Sequence, residues 1–399
     1  MNEPPSTIPI MPGSLGWLDD ELQKLDRDHL RRFRREISPL PGARCLVDGR
    51  EVINFASNDY LDLAGDPRVV AAAQRALAEC GAGSRASALV CGRTRWHAAL
   101  ENRLARFERQ AAAVLFPTGF AANLGTICAL AGRNDHVFSD RLNHASLIDG
   151  CRLSGANTGI YEHDNLAGLR NLLNATPAGG RRWIVTDSVF SMDGDLAPLP
   201  ALCDLAERFD ATLLVDEAHA TGVFGAEGRG VAELQGVEDH VAVRVGTLSK
   251  AVGALGGFVA GPQELIDWIW NRARPQMFST ALPPAVCAAA EQAIEIIEIE
   301  PDRRRRLLQL GALLRSRLAA AGIDAATQAI GPIVPVILRT AERAVEVAQE
   351  LERAGFLVGA IRPPTVPRGT SRLRITLSSG HESSDVERLA DALTAALKN

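Results

Sequence analysis

At 399 residues, with 46% hydrophobic and 23% charged residues, the chain has the composition of a soluble globular protein with a substantial core. A net charge of -5 gives no electrostatic reason to expect nucleic acid or an anionic membrane as a partner, and every long apolar stretch is broken by charge or glycine. Seven cysteines, never spaced as CxxC, point to reduced thiols in a cytoplasmic protein rather than to a disulfide framework or a zinc site.

Residues 1–16, rich in proline, read as a flexible arm with no signal-peptide core. Leu18, Leu22, Leu25, Leu30 and Phe33 then recur at helical spacing, and residues 44–55 read as a hairpin around Asp48-Gly49. From about residue 65 the chain alternates helices with short apolar strands at 113–116, 136–138, 183–186, 212–215 and 241–245. That pattern predicts a mainly parallel sheet covered on both faces, an α/β fold. After Pro283-Pro284 come long helical patterns over about 284–321, a strand at 332–338, a helix, a strand at 372–377 and a closing helix. The expected organisation is thus an arm (1–16), a helix-and-hairpin segment (17–64), a large domain (65–283) and a small α+β domain (284–399). The run Arg303-Arg304-Arg305-Arg306 opens a helical pattern and is expected on a solvated helix face.

The chain has only three lysines, Lys24, Lys250 and Lys398. Lys250 interrupts a stretch of small and apolar residues from Val245 to Gly257, where desolvation would depress its pKa and prepare the amine to attack a carbonyl. The strand at 212–215 ends in Asp216-Glu217-Ala218-His219 and Lys250 follows the next strand, so Asp216 and Lys250 emerge at the same carboxyl edge of the sheet. A lysine and an aspartate there suit pyridoxal phosphate: the lysine to form a Schiff base, the aspartate to keep the pyridine nitrogen protonated. The segment Pro117-Thr118-Gly119-Phe120 opens a helix whose amides suit a phosphate, with Thr247 and Ser249 adding hydroxyls. The glycines at Gly81, Gly83 and Gly92 are equally compatible with plain turns. His144, at a helix start, is either a structural hydrogen-bonder or a residue that stacks on a flat ring. The remaining histidines, His163 among them, show no metal-binding spacing, and no metal is expected.

Taken together, Ser57-Asn58-Asp59-Tyr60-Leu61 and the segments 140–146, 187–195, 216–219, 247–250 and 278–284 resemble the α-oxoamine synthase family over nearly the whole chain. The resemblance implies a fold-type I, aspartate-aminotransferase-like enzyme that joins an amino acid to an acyl thioester, working as a homodimer with interfacial active sites. It implies Lys250 as the Schiff-base lysine, Asp216 as the pyridine partner and His144 as the stacking residue. Ser191 and His219 would contact the cofactor; Gly119, Phe120 and Thr247 would hold its phosphate, with Ser279 or Thr280 reaching it from the other subunit. Within the family, residues 360–370 resemble the branch that condenses L-alanine with pimeloyl-CoA or a pimeloyl-carrier protein. The likeness puts Thr365 and Asn58 at the substrate, Arg374 on the amino-acid carboxylate, and Arg32 or Arg31 near the acyl donor. Siblings using glycine or serine, and an aminotransferase or decarboxylase on the same fold, are the alternatives. The chain departs from the family at one loop, where Ala88 stands in place of an arginine and Arg85 is the nearest one.

Overall fold

A computed structural model describes residues 13, 15–325 and 329–398. The arm expected over 1–16 lies almost wholly outside the described residues. Apolar strands and amphipathic helices build two sheets. The larger runs, in spatial order, Ala112–Phe116, Gly257–Gly261, Val243–Thr247, Ala211–Asp216, Arg182–Asp187, His136–Asp140 and Asn157–Tyr161. All its pairings are parallel except those of Gly257–Gly261, which runs antiparallel to both neighbours. Sequence pattern alone does not reveal that strand, because its flanking glycines read as loop. Gly257 is there for close approach: a Cβ on it would lie 2.7 Å from the Gly119 backbone. The strand expected at 241–245 starts instead at Val243, because the single turn Glu238–His240 still holds the Val241 amide.

The second sheet unites the two ends of the chain. Its order is Ile37–Leu40, Arg44–Val47, Arg50–Phe55, Phe356–Ile361, Ser371–Thr376 and Ile333–Arg339. The hairpin forms where Asp48-Gly49 predicts it, both residues holding positive φ (50° and 85°), as its tight turn demands. Arg50–Phe55 then pairs in parallel with Phe356–Ile361. The helix Pro284–Ile299 packs on Pro67–Cys80 and Arg95–Phe107 rather than on the C-terminal strands. Its alanine face, with Ala288 against Ala72 and Ala76, allows that close contact. The next helix, Pro301–Ala320, turns to meet the closing helix Ser383–Lys398.

Two expectations are corrected. The helix predicted through Phe33 ends at Arg27, where His29 takes φ 55° and the chain becomes an extended strap. The arginine run is a solvated face only in part: Arg305 and Arg306 are exposed, but Arg304 is 4% exposed and donates to the Ile297 and Ala226 carbonyls, while Arg303 pairs with Asp66 and Glu300. These guanidiniums satisfy backbone carbonyls and carboxylates where the helix start meets the larger sheet's loops. A continuous apolar interior runs from Phe55 and Leu61 through Leu248 and Ile297 to Leu373 and Leu393, so both sheets share one core. Among the described residues, no helix is long and apolar enough to cross a membrane.

Candidate active site

Parallel strands end together, and this sheet places its charges at that edge. Asp187 and Asp216 are in-register partners on adjacent strands, and Val245 lies opposite Asp216 on the next. Asp216 is 3% exposed; its Oδ2 accepts from Asn123 Nδ2 at 2.6 Å and its Oδ1 from the Ala218 amide at 2.8 Å. Asn123 sits on the helix Gly119–Leu130 and also donates to Ser146 Oγ. Its own Oδ1 is buried without a partner. Beside Asp216, Asp187 accepts the His144 amide at 2.6 Å. Burial first, and the Asp216 charge second, raise the Asp187 carboxyl well above the usual range.

Lys250 follows the strand Val243–Thr247 in a tight turn, with the Gly253 amide closing on its carbonyl. The residue is only partly exposed, and desolvation of the amine lowers its pKa to about 8 against the opposing pull of Asp216 and Asp187. Among the described residues it has no hydrogen bond or ion pair. His144 caps the helix Ala145–Ser154, its Nδ1 2.7 Å from Ser146 Oγ, and the residue is exposed. Desolvation, aided by Lys250, lowers its pKa. Phe120 meets that ring edge-on at 6.3 Å. His219 is 6% exposed and shares a 2.7 Å hydrogen bond with the buried Tyr60 hydroxyl; burial, then Lys250, pushes it well below the usual range.

At the other side of Lys250, Thr118 caps the helix Gly119–Leu130 and leaves its first amides facing the turn of Thr247 and Ser249. A Cβ on Gly119 would lie 3.0 Å from Thr247 Oγ1, so only glycine lets the helix start meet that hydroxyl without displacing it. The donor set matches pyridoxal phosphate piece by piece. An unpaired amine can take its aldehyde, a buried carboxylate its ring nitrogen, an exposed imidazole its face, and a helix start with hydroxyls its phosphate.

The C-terminal sheet supplies the remaining cation. Arg374 donates Nε to the Ser191 carbonyl at 2.6 Å and Nη1 to Asn58 Oδ1 at 3.2 Å, with Nη2 3.3 Å from the Tyr60 hydroxyl. Arg374, Asn58, Tyr60 and His219 are therefore one connected group reaching toward Lys250. Ser279 and Thr280 lie on a bridge between Thr280 and Ser87. Thr365 is exposed on the loop after Pro363-Pro364. Arg32 lies on the N-terminal strap and donates to the Pro363 carbonyl at 3.2 Å, while Arg362 returns a bond to the Arg31 carbonyl. A cleft of about 580 Å³, lined by Arg31, Arg32, Phe33, Arg35 and Arg362, opens beside them. Arg85 donates to the Cys80 carbonyl, and Gly81 caps the preceding helix with φ 79°, the plain-turn use of that glycine. Sequence reasoning did not assign roles to Asn123, Asp187 and Tyr60. Asp187 alone carried a usable signal, as a second carboxylate ending a strand beside Asp216.

The aminotransferase class I and II family matches residues 50–393. The 8-amino-7-oxononanoate synthase of Anaeromyxobacter dehalogenans strain 2CP-1 is 51% identical over 385 residues, covering 96% of each chain. The protein named 8-amino-7-oxononanoate synthase 2 in Bacillus subtilis is 44% identical, covering 94% of this chain and 95% of its own. Among solved structures, the serine palmitoyltransferase of S. paucimobilis with PLP and myriocin bound superposes with a TM-score of 0.92 at 32% identity, over 96% of this chain and 97% of that one. The 8-amino-7-oxononanoate synthase of Francisella tularensis gives a TM-score of 0.76 at 27% identity, over 87% and 98%. The chain belongs to the aminotransferase class I and II family, in its α-oxoamine synthase branch.

Proposed function

We propose that this chain is a pyridoxal-phosphate-dependent 8-amino-7-oxononanoate synthase, condensing L-alanine with a pimeloyl thioester and releasing CO2 and the thiol, a step of biotin biosynthesis. The observation that carries this reading is identity of 44–51% over nearly the full length to proteins bearing that name. The lysine–aspartate pair at the strand ends supports the chemistry. Bound there, the cofactor supplies an electron-accepting ring that stabilises negative charge at the amino-acid Cα.

The side chains supply the rest. Asp216, held by Asn123 and the Ala218 amide, would keep a proton on the ring nitrogen. Lys250 would hold the cofactor, then take the alanine Cα proton at Nζ and later return one. An amine near pH 8 is suited to both directions, since an efficient proton carrier has a pKa close to the working pH. Arg374 would hold the alanine carboxylate, with Asn58 fixing the guanidinium. His144 would lie on the ring face, and His219 would approach its phenolic oxygen. Gly119, Phe120, Thr247 and Ser191 would complete the cofactor contacts. Arg32 and Thr365 would receive the acyl donor, whether CoA or a carrier protein. A homodimer is part of the proposal, with Ser279 or Thr280 reaching the partner's phosphate. The exposed Val90 and Phe278 (76% and 68%) next to that segment give it an apolar surface to bury.

Serine palmitoyltransferases superpose well, but a shared backbone does not fix the amino acid used. Absorption spectra of the cofactor-loaded protein, titrated with L-alanine, glycine and L-serine, separate these readings. A change selective for L-alanine, with thiol release from pimeloyl-CoA, is expected. A response selective for serine or glycine would move the chain to a sibling activity, and no cofactor band at all would refute the assignment of Lys250.

A further inference from the structure

His163 stands in the turn after the strand Asn157–Tyr161, outside the group built around Lys250. Its two ring nitrogens face different carboxylates. Nδ1 is 3.2 Å from both oxygens of Asp140, and Nε2 is 2.8 Å from Asp195 Oδ2. A neutral imidazole has one N–H, so one of those contacts would set lone pair against carboxylate; satisfying both requires the imidazolium. The nitrogens point to opposite sides, which leaves no common centre for a metal. The ring is also fixed by Phe190, edge-on at 4.3 Å and 77°.

Each carboxylate belongs to a segment of the site. Asp140 ends its strand, accepts the Leu142 amide at 2.8 Å and starts the loop that delivers His144. Asp195 closes the turn 190–195, where the Phe190 amide bonds the Asp195 carbonyl and the Gly194 amide bonds the Phe190 carbonyl. That turn presents the Ser191 carbonyl to Arg374 and the Asp193 carboxylate to Arg372.

We propose that His163 is a positioning residue: a permanent imidazolium that ties the His144 loop to the Ser191 turn and thereby sets the orientation of Arg374 toward L-alanine. The inference rests on the proposed function only for the identity of the amino acid. Electrostatics agree, since the hydrogen bonds His163 donates to Asp140 and then to Asp195 raise its pKa to about 10. The other ionisable groups around it do not offer a competing cation. Tyr161 and Asp187 lie beyond Asp140 as acids, Asp164 is adjacent, and Arg141 is engaged by Glu162. Asp195 Oδ1 is buried without a partner, so the imidazolium is the only cation at that carboxylate among the described residues.

The test uses the cofactor-loaded protein. Nitrogen-15 NMR of its histidine side chains, with His163 assigned by its disappearance in His163→Gln, should show the doubly protonated form unchanged from pH 6 to 9. A His163 signal that titrates near 6.5 would overturn the proposal. In His163→Gln, L-alanine affinity read from the absorption change should fall about tenfold, with cofactor retention changed far less and His163→Lys recovering part of the loss. Unchanged alanine affinity in His163→Gln would equally overturn it. Should that variant fail to fold, His163 can be assigned through its couplings in the wild type, and the titration still decides. A wild type that never responds to L-alanine sinks the function reading alone, since the titration judges the imidazolium independently.

Discussion

Arg244 and Lys250 are cations of one strand and its following turn, and the protein treats them in opposite ways. Arg244 is 2% exposed, and both of its terminal nitrogens are engaged while its Nε is buried without a partner. It donates to the Glu108 carbonyl at 2.9 Å and the Glu238 carbonyl at 2.7 Å, with the Glu238 carboxylate 3.5 Å away. Burial pushes the nearby Glu108 carboxyl up to about 8, so the main-chain carbonyls and Glu238 do most of the holding. Lys250 sits at the carboxyl end of the same strand with no such partners among the described residues, and its pKa drops to about 8. A guanidinium cannot give up its proton and must be satisfied; an amine can, and leaving it unsatisfied makes it reactive. The difference separates scaffold from chemistry within a few residues.

Removing the reactive member should produce the largest effect. Lys250→Ala is expected to lower thiol release from pimeloyl-CoA by about 10²–10⁴-fold, the scale of a lost proton-transfer group, while circular dichroism stays native-like. Turnover within tenfold of wild type would break the comparison. Removing the engaged member should do the reverse. Arg244→Met leaves the Glu108 and Glu238 carbonyls without their donor, although Arg229 still holds the Glu238 carboxylate, and should cost about 3 kcal/mol in urea unfolding. The folded fraction should keep near-normal turnover per molecule. A loss of activity without loss of stability would mean that Arg244 acts on the site after all.

The sequence carried the site's poles better than its connections. Asp216 and Lys250 were legible because each ends an apolar run at a place where local pattern and fold rule agree. Gly257–Gly261 and Phe356–Ile361 were not, since the first is bounded by glycines and the second pairs with Arg50–Phe55, about 300 residues away in the chain. No local pattern encodes such a pairing. Arg304 misled for a similar reason: helical periodicity finds an exposed stripe but does not see the Ala226 carbonyl that a distant loop brings to it. Tyr60 and Asn123 act through tertiary contacts with His219 and Asp216, so their place became visible only with the chain folded.

The smallest expected effect is the most specific to Lys250. In protein freed of cofactor, the folded amine has a pKa of about 8 against 10.5 for the free side chain. The unfolded chain therefore binds more protons between these values, and stability contributed by this group rises with pH across that window. Below about pH 8 the folded state carries a charged, desolvated amine; above about 10.5 the amine is neutral in both states and the penalty vanishes. Other groups titrate in the same range, His163 with the opposite sign, so the useful quantity is the difference between wild type and Lys250→Ala. The variant should gain on the wild type by at most about 3 kcal/mol at pH 7, less to the extent that solvent at the partly exposed side chain screens the charge. That advantage should shrink steadily as pH rises from 8 to 10.5. A pH-independent difference would mean that Lys250 is solvated like an ordinary surface lysine, and that its contrast with Arg244 lies in hydrogen bonding alone.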